Sequence, residues 1–412
     1  MNRFGRWPWC GALLLLALHA AVAPLAAQGA HAIALPPERR PPQAIHRLPS
    51  ELADSTFWRL ITEFSEPGGW FRSENYVSNE TDWQVVIPSL RRVVPAGHAY
   101  LGVGPEQNFT YLAALEPGIA FIVDIRRQNL ALHLYYKALF ELSPTREVFL
   151  ARLFGRPRSP STADELGVSD STTASESTIA ELLAGLEQRA PDSAWHAGVR
   201  AAVRTHLVET HGFALSADDL TLLERVAVAF ATAGPDINYS YVPEYGSFAM
   251  VTRGMPTFGA LFRHDDGAGV NRSFLGSEVA YQRVRTLQQR NLVVPVTGDF
   301  AGAHALRAVG DWLRAHDATV GTFYLSNVEQ YLFQENDVWP RFFANVQALP
   351  VDSTSTFIRS VANRWRGGWS AGSRPGPLMT QRLAPIVGTL DAVRSGRVLW
   401  YGDVIAVERR PE

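Results

Sequence analysis

An apolar run, Ala99-Tyr100-Leu101-Gly102-Val103, passes through the turn Gly104-Pro105-Glu106 into the helical pattern QNFTYLAAL, and a second apolar run, Ile119–Val123, ends on Asp124. Nothing else in the chain limits its fold so strongly. Two strands joined by a helix-length crossover pair in parallel, so the stretch predicts a βαβ unit. Glycine lets the backbone approach a ligand closely, and a helix N-terminus offers it unpaired N–H groups. Asp124 follows Gly102 by about 20 residues, where a ribose-binding acid sits in such units. The pattern points to nucleotide or nucleoside binding; the competing reading is a tight turn used for packing. Asp124 has its own alternative, an N-cap for the segment beginning at Ile125.

Residues 1–27 have a different character. Arg3 and Arg6 precede an apolar stretch, Gly11–Ala23, and Leu25-Ala26-Ala27 stand before Gln28. That three-part order is expected of a secretory signal peptide cleaved near Ala27-Gln28, which places the protein in the periplasm or outside the cell. A cytoplasmic location follows if the leader does not function. Cys10, the only cysteine, falls in this segment. A mature chain is therefore expected to have no disulfide and no cysteine-ligated metal. The formal charge of −2 gives no global attraction to nucleic acid or anionic lipid. No later apolar run reaches the length of a transmembrane helix, so no stable membrane anchor is expected after cleavage. The expected partner is a small molecule, and the oligomeric state is left open. Lys137 is the only lysine, and arginine carries the remaining positive charge.

Residues 28–69 read as a linker (PPERRPP, 36–42) and a leading helix with apolar side chains at helical spacing over 51–64. Residues 70–142 form the first half of an α/β domain, and 126–141 continue the alternation as a crossover helix. From 143 to 235 helical patterns surround a Ser/Thr-rich stretch at 159–178, without a fixed repeat, and read as a helical insertion. Residues 236–412 begin with a Tyr/Gly/Phe-rich loop region over 236–276 and continue as the second half. There, helices at 277–290, 301–315, 338–347 and 379–395 alternate with strands at 292–296, 319–325, 355–361 and 398–407. The expected fold is α/β: a doubly wound, mostly parallel sheet covered on both faces, with a helical insertion after the second strand.

Other polar residues fall at strand ends. Gly298-Asp299 closes the third strand, where Asp299 either accepts hydrogen bonds from a ligand or caps the next helix. Ser326, Asn327 and Tyr331 follow the fourth strand, at the crevice where ligands of open sheets lie; helix capping is the alternative for Ser326 and Asn327.

Together these features resemble the class I S-adenosylmethionine-dependent methyltransferase fold. Gly102, Gly104, Asp124, Asp299 and the Ser326-Asn327 pair fall in matching order. The segments SENYVSNE (73–80), GVGPEQNFTY (102–111) and YLSNVEQYLF (324–333) also resemble a family of uncharacterised bacterial proteins with this fold. The resemblance implies S-adenosylmethionine as cofactor, held by Gly102, Gly104, Glu106, Asn108, Asp124 and Asp299. It implies a small-molecule acceptor near Asn75, Tyr76, Ser326, Asn327 and Tyr331. Tyr100 stands where the family carries an acid, and Glu106 replaces the third glycine of the turn. Methyl transfer needs chiefly alignment of acceptor and methyl group, so no catalytic acid or base is assigned. The alternative is an exported, non-enzymatic nucleoside- or ligand-binding protein on a degenerate methyltransferase fold. A nicotinamide cofactor would also suit Asp124, although Gln107 holds the sixth position of G-x-G-x-x-G.

Gly368-Trp369-Ser370-Ala371-Gly372 matches a nucleophile elbow, but no histidine follows His316, which excludes the Ser…Asp…His order. His206 and His211 are five residues apart, a spacing that turns them apart on an α-helix, and no metal site is expected. His264-Asp265-Asp266 reads as a solvated turn.

Overall fold

The computed structural model describes residues 47–71, 73–157, 177–239, 241, 255–362 and 379–408. The signal segment, most of the 159–178 stretch, part of the 236–276 loop and the 368–372 motif lie outside them.

Six strands form one sheet: β1 (Ala99–Gly102), β2 (Ala120–Asp124), β3 (Val293–Thr297), β4 (Val320–Ser326), β5 (Thr356–Ala362) and β6 (Met379–Pro385), in the spatial order β3-β2-β1-β4-β5-β6. The first five pair in parallel and β6 runs antiparallel to β5. All side chains of β1, β2 and β3 are buried, as expected of strands covered on both faces. The α/β fold with a mostly parallel sheet is thus as expected, and its order is compatible with a Rossmann-like fold.

Helices α1 (Asp54–Phe64), α2 (Ile87–Val93), α3 (Gln107–Leu115) and α4 (Arg127–Leu142) accompany the first half. In α1, Phe57, Leu60, Ile61 and Phe64 are buried at three- and four-residue spacing, which seats that stripe on β3. The insertion contributes α5 (Arg146–Leu153), α6 (Ile179–Glu187), α7 (Ser193–Thr205), a π-helical turn (His206–Thr210) and α8 (Ala217–Ala233), and the loop region after it carries α9 (Phe258–Arg263). The insertion docks on the frame mainly through α4 and α8. Helix α10 (Glu278–Gln289) packs on α3 and α4 and leads into β3, and α11 (Ala305–Ala315) joins β3 to β4. After β4 come α12 (Val328–Leu332) and α13 (Val338–Gln347), and after β6 come α14 (Ile386–Arg394) and α15 (Tyr401–Ile405).

Two expectations fail near the C-terminus. Residues 379–385 form β6 instead of the start of a helix, and the helix begins only after Pro385. Proline is accepted just before or at the first turn of a helix but not within it. Residues 401–405 form a short helix instead of a strand.

Candidate ligand site at the carboxyl edge of the sheet

The ends of β1, β4, β5 and β6 bring together a buried polar set at the β1/β4 boundary, where the strand order reverses. Such a boundary is the usual ligand crevice of an open α/β sheet. Glu80, nearly inaccessible to solvent, is its centre. Glu80 Oε2 accepts hydrogen bonds from Gln107 Nε2 and Gln381 Nε2, each at 2.7 Å, and Oε1 accepts one from the Ser326 hydroxyl. Gln381 also donates to Ser360 Oγ, its register partner on β5. Ser326 reaches Glu80 from a register irregularity in β4, at φ 51°, a left-handed conformation rare for serine. Tyr100, Tyr111 and Tyr324 line the set; burial, and then neighbours that include Glu80, keep their hydroxyls protonated well beyond the ordinary range.

Beside this set lies Glu106. Its Oε1 accepts from the Ser78 backbone N–H at 3.1 Å, while Oε2 is buried and meets no described hydrogen-bond partner. Burial pushes its pKa up to about 8, because a charged carboxylate without solvent is costly.

The glycine turn wraps around Asn108. Asn108 Nδ2 donates to the carbonyls of Val103, Gly104 and Pro105, and Asn108 Oδ1 accepts from the Tyr100 hydroxyl at 2.8 Å. Gly102 is required by packing, since a Cβ there would run into Asn108 and the Tyr100 ring. Gly104 differs: at φ +75° its added Cβ would meet no described atom within 4 Å.

Asp124 does stand at the next strand end, but its carboxylate is occupied. Arg126 Nε and Nη2 reach its two oxygens at 3.1 and 3.0 Å, and the Arg126 backbone N–H adds a third bond at 2.9 Å. Arg126 Nη1 also donates to the carbonyls of Ser73 and Glu74. His133 Nε2 contacts the Gly104 carbonyl at 2.8 Å, and burial lowers its pKa to about 4, leaving a neutral ring. His133 and Arg126 therefore crowd the region from the glycine turn to Asp124.

Asp299 folds back locally, accepting from Ala301 N–H, and does not cap α11. Glu66 does that instead: its carboxylate accepts from the N–H groups of Asp299, His304 and Ala305. Asn327 is the N-cap residue of α12 without a side-chain capping bond. Tyr331 stands edge-on to Phe71 at 5.4 Å. Tyr76 is buried against Phe230 and Tyr241, and Asn75 beside it adopts φ 49°. Of the residues expected around a ligand, the structure gathers Glu106, Asn108, Ser326 and the glycine turn at the switch point. Tyr76 belongs to the aromatic core under the insertion. Glu80, Gln107, Gln381, Arg126 and His133 escaped assignment.

The profile of a domain of unknown function, DUF7790, matches residues 75–178 and 257–392, more than half of the chain. The chain belongs to the DUF7790 family. The two matched blocks carry Glu80, the Gly104 turn, Asp124, Ser326 and Gln381, so the polar set at the switch point lies within DUF7790. Helices α6, α7 and α8 of the insertion fall between the blocks. No curated protein matches the sequence.

Proposed function

We propose that this DUF7790 protein is a non-enzymatic binding protein for a small polar ligand, built on a methyltransferase-like Rossmann frame. The observation that carries this reading is the clamp of Arg126 on Asp124. An acid meant to accept both ribose hydroxyls is already engaged by three donors, and His133 stands against the adjacent turn. The unpartnered Oε2 of Glu106 supports a polar ligand near the switch point, since a buried polar atom ordinarily has a partner. An exported protein would also be separated from S-adenosylmethionine, which is made in the cytoplasm.

A second reading, an S-adenosylmethionine-dependent methyltransferase acting on a small acceptor, is favoured by the strand order and by the open space on the Cβ side of Gly104. Thermal unfolding with millimolar S-adenosylmethionine and with its demethylated product separates the two. A ligand that binds only the native state must raise its stability, by about 2.7 kcal/mol at a hundredfold excess over Kd. The binding-protein reading expects no methyl transfer to any acceptor and stabilisation by other polar small molecules. Methyl transfer from S-adenosylmethionine would overturn it.

A further inference from the structure

At the end of α4, Glu141 faces two histidines of the insertion. Glu141 Oε2 lies 2.6 Å from His206 Nε2 and 2.7 Å from His211 Nε2. The three atoms all lie within 4.8 Å of one another. The π-helical turn makes this convergence: His211 N–H bonds to the His206 carbonyl at 3.0 Å, an i to i+5 bond. A wider turn brings positions five apart toward one face, which the α-helical spacing would have separated. The sequence expectation that these rings diverge is therefore wrong, because the helix changes type there.

We propose that Glu141, His206 and His211 form a binding site for a divalent transition metal of the zinc class. Two imidazoles and a carboxylate are a ligand set such ions take, with a fourth position left for water. The surroundings fit the outer shell of a metal site. His211 Nδ1 lies 2.7 Å from Asp54 Oδ1, and Asn291 Nδ2 holds that same oxygen at 2.9 Å. A carboxylate behind a ligating histidine fixes its tautomer and raises its basicity. Lys137 Nζ occupies the other oxygen of Glu141 at 2.6 Å, leaving Oε2 for a metal.

Both nitrogens of His211 face carboxylates. Without a metal only the imidazolium satisfies both; with a metal on Nε2, the neutral ring keeps its Nδ1 proton for Asp54. Glu141 Oε2 stands at hydrogen-bonding distance from both rings, and tetrahedral coordination separates such atoms by about 3.3 Å, so each of these two gaps must widen by ~0.6 to 0.7 Å. His206, with a side chain 20% exposed, is the ligand with most freedom to move and the route from solvent.

The site is separate from the switch-point set, and its test is independent of the proposed function. The full chain, purified without a histidine tag and stripped with EDTA, is titrated with Zn2+ by calorimetry and with Co2+ by visible spectroscopy. One metal per chain and the intense absorption of tetrahedral Co2+ are expected. His206→Gln and His211→Gln should each weaken binding at least 100-fold, with the fold checked by circular dichroism. Asp54→Asn, which reaches the metal only through His211, should weaken it about 10-fold. Should the histidine variants fail to fold, the wild-type Co2+ spectrum still decides. No uptake by the wild type, or unchanged stoichiometry in the folded double variant, would overturn the site.

Discussion

Arg126 grips Asp124 through two side-chain bonds and one backbone bond, and both residues are buried at the end of β2. An acid placed by the fold to meet a ligand instead organises the loop around Ser73 and Glu74 through the same guanidinium. Removing one partner of such a pair leaves an uncompensated buried charge. Arg126→Ala should therefore destabilise the protein by about 3–5 kcal/mol in urea unfolding. A loss below about 1 kcal/mol would mean that the clamp is dispensable and Asp124 is free to bind.

The two glycines of the turn should respond differently. Gly102→Ala forces a methyl group against Asn108 and Tyr100 and should cost about 1–3 kcal/mol by overpacking. Gly104→Ala meets no described neighbour, and its cost of about 1–2 kcal/mol comes from the left-handed backbone alone. Its larger effect should be on ligand affinity, measured by calorimetry with whichever ligand stabilises the wild type.

Glu106 makes stability depend on pH. Its folded pKa of about 8 lies above the ordinary 4.5, so its contribution is complete below about pH 4.5 and is lost as pH rises through 8. Across that window the wild type should lose stability relative to Glu106→Gln by up to roughly 1.4 kcal/mol per pH unit. Urea unfolding of both proteins at a series of pH values measures the difference. A difference independent of pH would mean that Glu106 is charged throughout.

A buried pair next to the switch-point set, on the strand whose Arg359 is the register partner of Ser326, provides a comparison. Arg359 is held by Glu329 at 2.6 and 3.1 Å and donates to the carbonyls of Val404 and Val407. Glu329→Ala should cost about 3–5 kcal/mol, with the C-terminal segment becoming sensitive to limited proteolysis. An unchanged cleavage pattern would argue against this anchoring.

The frame was legible because periodicity reports burial. The mostly apolar β1, β2 and β3 and the striped α1 announce a covered parallel sheet, and the turn at Gly104 announces the first crossover. The antiparallel β6 was not legible, since Met379–Pro385 alternates only in part and runs directly into a helix. The polar centre was read only in fragments. Glu106 and Ser326 stand in recognisable turns, but Glu80 and Gln381 are 301 residues apart in sequence and meet only in the folded chain, Gln381 on β6 and Glu80 on the loop before α2. Asp124 was placed correctly at its strand tip, yet the competing Arg126 two residues on belongs to side-chain geometry that no spacing encodes. The histidine pair was misread for a related reason: a π-turn has no compositional mark, and five residues mean opposite things on the two helix types.

Lys137 sits almost wholly inside, its ammonium bonded to Glu141 and to the Gln288 carbonyl and lying over the Phe57 ring. Because it is the only lysine, the native surface presents no ε-amino group at all. Acylating dyes, aldehyde fixatives and amine crosslinkers thus find no lysine side chain to react with until the fold opens, and the onset of labelling at this residue becomes a direct readout of unfolding.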